Sequence, residues 1–477
     1  MKLLSFIDEN DSWIPVEVEL ELWPGLPEIH FLGRADQHLR ESAKRIKSAI
    51  RAQGFEFPVA QQILVNLKPS YLKKSSRGLE LAVAAAYLME SGQVPKWVTD
   101  SKTSFYGELS LTGEVSAPDG IAKALLPDET CLVTGSAKEG VPFAYREVAT
   151  LKDLFEPRSR TATAPRTRWA PSEEILDLEI GESWARFLAL VALGRHSVLL
   201  AGAAGTGKTT AAQILHALLP APKGEEASAL LRRTPGVFPE VAWRPFVRPH
   251  HSIPLHSLLG GGPEAHGGEL ARADLGLLLL DELLEFHPHV MEALREPLEQ
   301  KKMRVSRGPR VQEYPLRTQI VATTNLCPCG EFVPGEPPKQ RCRFTLARCR
   351  SYGQRISGPL ADRFEILRFV KFDAAETRIS VRELRVRLEE TRARLESRGR
   401  RAGEEALADI KARVAPFFLK HDWDKWGGSE RRRIATLRVA QTVCDWEGES
   451  QITGSHLEEA RRWTVHAFEK LKRWDVC

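Results

Sequence analysis

Polar and apolar positions alternate along some stretches of this chain and cycle with a helical period along others. Ile14-Pro15-Val16-Glu17-Val18-Glu19-Leu20-Glu21-Leu22 alternates with period two after its proline, which predicts a half-buried strand. Residues 38–53 space Leu39, Ala43, Ile46 and Ile50 as one helix face, and residues 62–67 and 131–134 predict further strands. Residues 79–89 predict an apolar helix, so residues 1–155 read as one mixed α/β domain. Periodicity stops after Glu156, where proline, serine, threonine and arginine predict an exposed linker over 156–171. A second domain, 172–372, carries the apolar runs 197–201, 277–280 and 319–325. The run Leu277-Leu278-Leu279-Leu280 is apolar on both faces, the pattern of a strand buried in a parallel sheet. Residues 373–477 are rich in alanine, leucine, arginine and glutamate and predict a helical domain. The alternating charges of 382–401 predict a solvated helix face.

Composition sets the class. The chain has 477 residues, 42% hydrophobic and 27% charged, which suits several soluble domains with filled cores. No apolar run approaches the ~18 residues of a membrane span. The first residues lack a basic-then-apolar secretion pattern, so the cytoplasm is the expected compartment. A net charge of +5 is too small to argue for nucleic acid, and local charge matters more. Of seven cysteines, four fall between Cys327 and Cys349, a local metal or redox feature rather than a disulfide framework.

The chemistry is sharpest at Gly202-Ala203-Ala204-Gly205-Thr206-Gly207-Lys208-Thr209, which satisfies G-x-x-x-x-G-K-[ST] between an apolar run and a helical segment beginning at Thr210. Such a loop aims backbone N–H groups at phosphate, with Lys208 reaching the β/γ-phosphates of ATP and Thr209 binding Mg²⁺. The second site is Asp281-Glu282 at the end of the leucine run. Asp281 is expected to hold Mg²⁺ through water and Glu282 to polarise the attacking water. Asn325 ends the third run near the usual ligand crevice, where it would orient water or touch the γ-phosphate.

Together with Gly358-Pro359-Leu360-Ala361-Asp362-Arg363-Phe364, these sites resemble the magnesium-chelatase branch of the AAA+ ATPases. More closely, the chain resembles the ComM (YifB) family along nearly its whole length. The likeness runs through Gly25-Leu26-Pro27, Val65-Asn66-Leu67, Gly107-Glu108-Leu109-Ser110-Leu111, Pro249-His250-His251, Gly260-Gly261-Gly262, Cys327-Pro328-Cys329-Gly330 and Ile356-Ser357-Gly358-Pro359-Leu360. The resemblance implies a multidomain α/β protein: an α+β N-terminal domain like those of Lon protease and ribosomal protein S5, an AAA+ core with a parallel sheet, and a C-terminal helical lid. It implies a hexameric ring in which Arg363 acts as an arginine finger in a neighbour's site. Ser429-Glu430-Arg431 resembles the sensor-2 segment, with Arg431 facing the phosphates in cis and Arg438 as the competing candidate. The N-terminal domain looks shorter than its relatives between Gly92 and Gly107. Serine–lysine proteolysis is not expected, since Lys74-Ser75 and Ser101-Lys102 are adjacent pairs without a nucleophile motif.

Cys327, Cys329, Cys342 and Cys349 offer four soft ligands suited to structural zinc. Their spacing is irregular, and Phe344 stands where relatives carry a fourth cysteine, with Cys349 as the substitute. Unmetallated structural cysteines and redox chemistry remain the alternatives. Residues 301–312 predict a β-hairpin around Gly308-Pro309, with Lys301, Lys302, Arg304, Arg307 and Arg310 basic and no acidic residue in the span. By resemblance it points into the pore, where its charges would track DNA phosphates. Residues 235–268, with His250, His251, His256 and His266, predict a substrate loop rather than a metal site. The basic runs 341–343, 348–350 and 431–433 add positive surface. Trp423, Trp426, Trp446, Trp463 and Trp474 are expected to help close the lid.

The leading reading is an ATP-dependent DNA motor promoting branch migration during recombination, including in natural transformation, with recombination proteins as partners and no membrane. The alternative is a chelatase-like ATPase that remodels a protein partner. A nonhydrolytic ring is disfavoured by the intact carboxylates.

Overall fold

The computed structural model describes residues 1–9, 12–32, 37–68, 78–96, 103–118, 121, 131–137, 144–160, 167–233, 239–261, 266–307, 310–330, 344–356, 358–370, 377–400, 403, 406–414 and 429–472. The chain forms two compact units, residues 1–168 with 223–241 and residues 169–222 with 242–477. Among the described residues, no helix is long and apolar enough to cross a membrane.

The first unit is built on an eight-stranded mixed sheet. Its elements are β1 (Lys2–Glu9), β2 (Ser12–Pro24), β3 (Ile29–Leu32), α1 (Gln37–Ala52), β4 (Gln61–Lys68), α2 (Leu79–Glu90), β5 (Thr103–Phe105), β6 (Cys131–Thr134), β7 (Tyr145–Glu147) and β8 (Arg158–Arg160), with strand order 8-7-6-5-1-2-4-3. Val16, Val18 and Leu20 of β2 point into a core with Ile63, Val65 and Leu67 of β4. On the other face, Glu19 pairs with Lys2 at 2.8 Å and Lys68 at 2.7 Å. That division is what the period-two pattern requires. Helix α2 is buried along nearly its whole length, and its Glu80 carboxylate accepts from Ser42 (2.6 Å), Arg45 (2.8 Å) and the Leu109 N–H (2.9 Å). Arg158–Arg160, expected in the linker, instead pairs with β7 as the edge strand β8. Two exposed arginines and a serine at an open edge suit a strand that meets water.

The second unit holds a five-stranded, all-parallel sheet. Its elements in chain order are α3 (Glu182–Leu193), β9 (Val198–Gly202), α4 (Lys208–Ala217), β10 (Phe246–Val247), β11 (Leu277–Leu280), α5 (Arg295–Gln300), β12 (Lys302–Arg307), β13 (Arg310–Pro315), β14 (Gln319–Thr324), α6 (Leu346–Gly353), β15 (Ile366–Val370), α7 (Val381–Ser397), α8 (Glu430–Glu447) and α9 (Gly454–Arg461). The sheet order is 10-11-14-9-15. Successive residues feed opposite cores. Val198, Leu200, Leu277, Leu279 and Val321 pack with Phe187 of α3 and Leu215, whereas Leu199, Ala201, Leu278, Leu280 and Ala322 pack with Phe286 and Phe364. Both faces are therefore covered, as expected of a parallel sheet. Leu388 of α7, Leu437 of α8 and Leu457 of α9 belong to the same core as Leu200, so the helical C-terminal segment packs as part of this unit. Trp446 and Trp463 lie against that core, while Trp423, Trp426 and Trp474 lie outside the described residues.

Candidate functional site

Strand β9 ends at Gly202, and the chain turns through Ala203, Ala204, Gly205, Thr206 and Gly207 into α4. Gly205 and Gly207 have φ of 76° and 81°, a region open to glycine at little cost. The Lys208 ammonium donates to the carbonyls of Gly202 (3.1 Å) and Ala203 (2.7 Å) and to Asn325 Oδ1 (3.0 Å). Burial lowers its pKa, and the Asp281 and Glu282 carboxylates oppose that shift. Thr209 and Thr210 follow on the first turn of α4, where helical N–H groups lack partners within the helix.

The carboxylates stand across from this loop. Thr209 Oγ1 lies 3.3 Å from Asp281 Oδ2, which joins the loop to the end of β11. Thr323 of β14 also donates its hydroxyl to Asp281 and accepts the Glu282 N–H at 3.0 Å. Glu282 has φ of 55°, a strained value for a residue with a side chain, and its carboxylate is exposed. Arg248 completes the cluster with an ion pair to Asp281 at 2.5 Å. Sequence reasoning named neither Thr323 nor Arg248. Phe246–Val247, within the segment read as a loop, instead pairs with β11 as an edge strand of the sheet and so carries Arg248 to Asp281.

Arg363 lies at the opposite end of the sheet. Its carbonyl accepts from Ser197 Oγ at 3.3 Å, and the same hydroxyl accepts the Glu365 N–H at 3.0 Å. Ser197 immediately precedes β9 and Glu365 immediately precedes β15, which run parallel. The phosphate loop follows the last residue of β9. At ~3.3 Å per residue, the two ends are separated by roughly 16 Å along the strand. Arg363 pairs with Glu299 Oε2 at 2.9 Å, and Arg431 pairs with Glu299 Oε1. Arg431, expected to face the phosphates in cis, shares the Glu299 carboxylate with Arg363. Arg438 is held by Glu365 at 3.1 Å, with His196 on the same carboxylate at 2.8 Å. Burial raises the Glu365 pKa, but the hydrogen bond and charge of His196, with the charge of Arg438, prevail and bring it down to about 2. Arg432 is buried on Asp362 (3.2 Å) and the carbonyls of Ala361 (3.1 Å) and Phe364 (2.8 Å), so it fixes the segment that carries Arg363.

Strands β12 and β13 form the expected hairpin, with Arg304 opposite Glu313 and Arg307 opposite Arg310. Met303 and Val305 are buried, which turns Lys302 and Arg304 outward. Glu313, one residue beyond the span read as free of acid, pairs with Lys302 at 3.3 Å. The side chains of Arg307 and Arg310 lie outside the described residues. Lys301 has φ of 51° and joins α5 to β12.

The sulfurs of Cys327, Cys329 and Cys349 lie within 4.8 Å of one another, with Cys327 and Cys329 3.1 Å apart. Cys327 and Cys349 are buried, so the donor set suits a closed thiolate site. Cys342 lies outside the described residues. The same turn meets the phosphate loop, since the Ala204 N–H donates to Gly330 O at 2.9 Å. His250 binds Ser252 at 2.7 Å and lies tilted against His251 with ring centres 4.1 Å apart. His256 lies on a short helix, Leu255–Leu259, and the side chain of His266 is outside the described residues. Lys74-Ser75 and Ser101-Lys102 are outside them too.

The family described as magnesium chelatase, subunit ChlI, matches residues 176–377, and that described as subunit ChlI of Mg-chelatase matches residues 16–130. The chain is 31% identical over 501 residues to the competence protein ComM of Haemophilus influenzae, covering 96% of each chain. It is 30% identical over 489 residues to YifB of Salmonella typhimurium, covering 94% of this chain and 93% of that one. Against YifB of Escherichia coli it is 33% identical over 382 residues, 74% and 72% of the two chains.

Proposed function

We propose, since this chain belongs to the ComM and YifB family of magnesium-chelatase-related AAA+ ATPases, that it is an ATP-driven ring acting on DNA. The observation that carries the reading is the hydrogen-bonded set Lys208, Asn325, Thr209, Asp281 and Thr323 at the carboxyl end of a parallel sheet, with Arg363 at the other end. ATP supplies the phosphoryl group to be cleaved. Lys208 and the loop N–H groups would hold the phosphates, and Thr209 and Asp281 would hold Mg²⁺, which when bound would neutralise phosphate charge. Glu282 takes the proton of the attacking water, and Asn325 keeps Lys208 and that water aligned. Arg363 serves a neighbouring copy, and a hexamer is the ring expected of such a protein. The N-terminal unit, like the domains of Lon and ribosomal protein S5, would shape the ring or receive a recombination protein, in the cytoplasm.

Lys301, Lys302, Arg304, Arg307 and Arg310 would follow the phosphate backbone, which needs charge and no base reading. The name of the Haemophilus influenzae relative, competence protein ComM, favours a role in natural transformation, for which branch migration of recombination intermediates is the DNA reaction we propose. Glu313 on Lys302 favours the second reading, remodelling of a protein partner, because an acid on the hairpin weakens a phosphate track. The test is ATP hydrolysis by the purified protein with single-stranded, duplex and branched DNA. Turnover is expected to rise with DNA and to fall at least about 100-fold in Lys208→Ala. Equal turnover with and without DNA, together with no salt-sensitive DNA binding, would overturn the motor.

A further inference from the structure

The geometry points to Glu299 as a positioning residue that couples the β12–β13 hairpin to Arg363, which serves a neighbour's nucleotide site, and to Arg431 beside it. It rests on the proposed reading of Arg363 and of the hairpin. Each oxygen of this one carboxylate engages a different guanidinium, Oε2 that of Arg363 and Oε1 that of Arg431. One acid against two bases leaves a net positive charge, so the pair still attracts a γ-phosphate while being held in one place. Glu299 and Arg431 are both partly exposed, and ion pairs of that kind are weak and exchangeable. An anchor of this strength orients the arginines without locking them away from a second copy.

Glu299 is also fixed to the hairpin. It stands three residues before β12, on the six-residue helix α5. Pro297 is buried and Leu298 packs on the core, so the helix has one orientation. The Lys301 N–H donates to Pro297 O at 3.0 Å and closes the helix in a left-handed turn. Lys301 O then accepts the Leu316 N–H at 2.9 Å, just beyond the end of β13. Helix and hairpin root therefore move as one piece. A tilt of the hairpin on phosphate moves the Glu299 carboxylate, and with it both guanidinia. The acid does not touch the reacting atoms; it acts through Arg363 and Arg431.

The test uses the full chain with Glu299→Gln, which keeps shape and removes charge, and Glu299→Asp, which keeps charge. ATP turnover is measured at saturating ATP with and without duplex DNA, beside the KM for ATP and the DNA affinity. Glu299→Gln is expected to lose at least about fivefold of the DNA stimulation while KM and DNA affinity stay within about twofold, and Glu299→Asp to regain part of it. Full stimulation in Glu299→Gln overturns the coupling. So does a joint loss of KM, DNA affinity and stimulation that Asp does not rescue, because that marks a structural role. Arg363→Ala separates the two levels. If it turns over ATP normally, the reading of Arg363 falls, and the coupling with it. If it is inactive while Glu299→Gln behaves as wild type, only the coupling falls. Absence of DNA stimulation in the wild-type protein overturns the coupling and leaves the reading of Arg363 to be decided by the turnover of Arg363→Ala.

Discussion

Asp281 gathers the Thr209 hydroxyl, the Thr323 hydroxyl and the Arg248 guanidinium on one carboxylate. The hydroxyls leave its charge intact, whereas Arg248 neutralises it and so competes with a divalent cation for the same oxygens. Arg248 is half exposed, and pairs of that kind are worth up to about 1 kcal/mol. Arg248→Ala is therefore expected to lower the Mg²⁺ concentration for half-maximal ATP turnover by about threefold, read from a magnesium titration at fixed ATP. An unchanged or raised requirement would assign Arg248 to the phosphates instead. Lys208, Thr209, Asp281 and Glu282 were legible in the sequence because each is tied to a local motif of fixed spacing. Arg248 was not, since its place on Asp281 depends on a two-residue strand pairing with a segment about thirty residues later. Arg431 shows the same limit: its segment was recognisable, but its partner, Glu299, is set by packing between elements far apart in the chain.

Among the elements, the turn after β14 links two features that looked separate. Cys327, Cys329 and Cys349 converge there, and Gly330 accepts the Ala204 N–H of the phosphate loop. Gly330 has φ of 74°, and a Cβ on it would meet Ala204 Cβ at 3.0 Å. We propose that zinc on these thiolates stiffens the turn and so braces the loop. Purified protein is expected to carry zinc by atomic emission. Cys329→Ser is expected to lose it and to bind ATP about 10-fold more weakly, the scale on which thiolate and supporting groups tune such sites. Zinc-free protein with full ATP affinity would leave unmetallated structural cysteines as the better account. The strands and helices themselves were largely readable, because β2, β4, α2 and β11 carry strong periodic or continuous apolar patterns. The hairpin was readable too, yet its charge balance was not. Glu313 faces Arg304 only once the register of β12 on β13 is known.

On the scale of the whole molecule, the polarity of the sheet decides how the nucleotide site is completed. All five strands run the same way, so one edge carries the phosphate loop, Asp281 and Asn325, and the other carries Arg363 and, through Glu299, Arg431. The ~16 Å between the edges exceeds the reach of an arginine side chain. We propose that a second copy brought end to end supplies the guanidinium, through head-to-tail contacts of the kind that close into rings. Two inactive variants test it. Lys208→Ala has no competent site of its own but offers an intact Arg363, and Arg363→Ala has the reverse. Each alone is expected to be inactive. Mixed in equal amounts and allowed to reassemble, they form a competent site wherever an Arg363→Ala copy receives the arginine of a Lys208→Ala neighbour. Random mixing produces that pairing at about a quarter of the interfaces, and turnover should recover to that order. Recovery with rising protein concentration, and its loss on dilution, would tie turnover to assembly. A mixture as inactive as its components would place the arginine's work within one chain, against the separation of the two sheet edges.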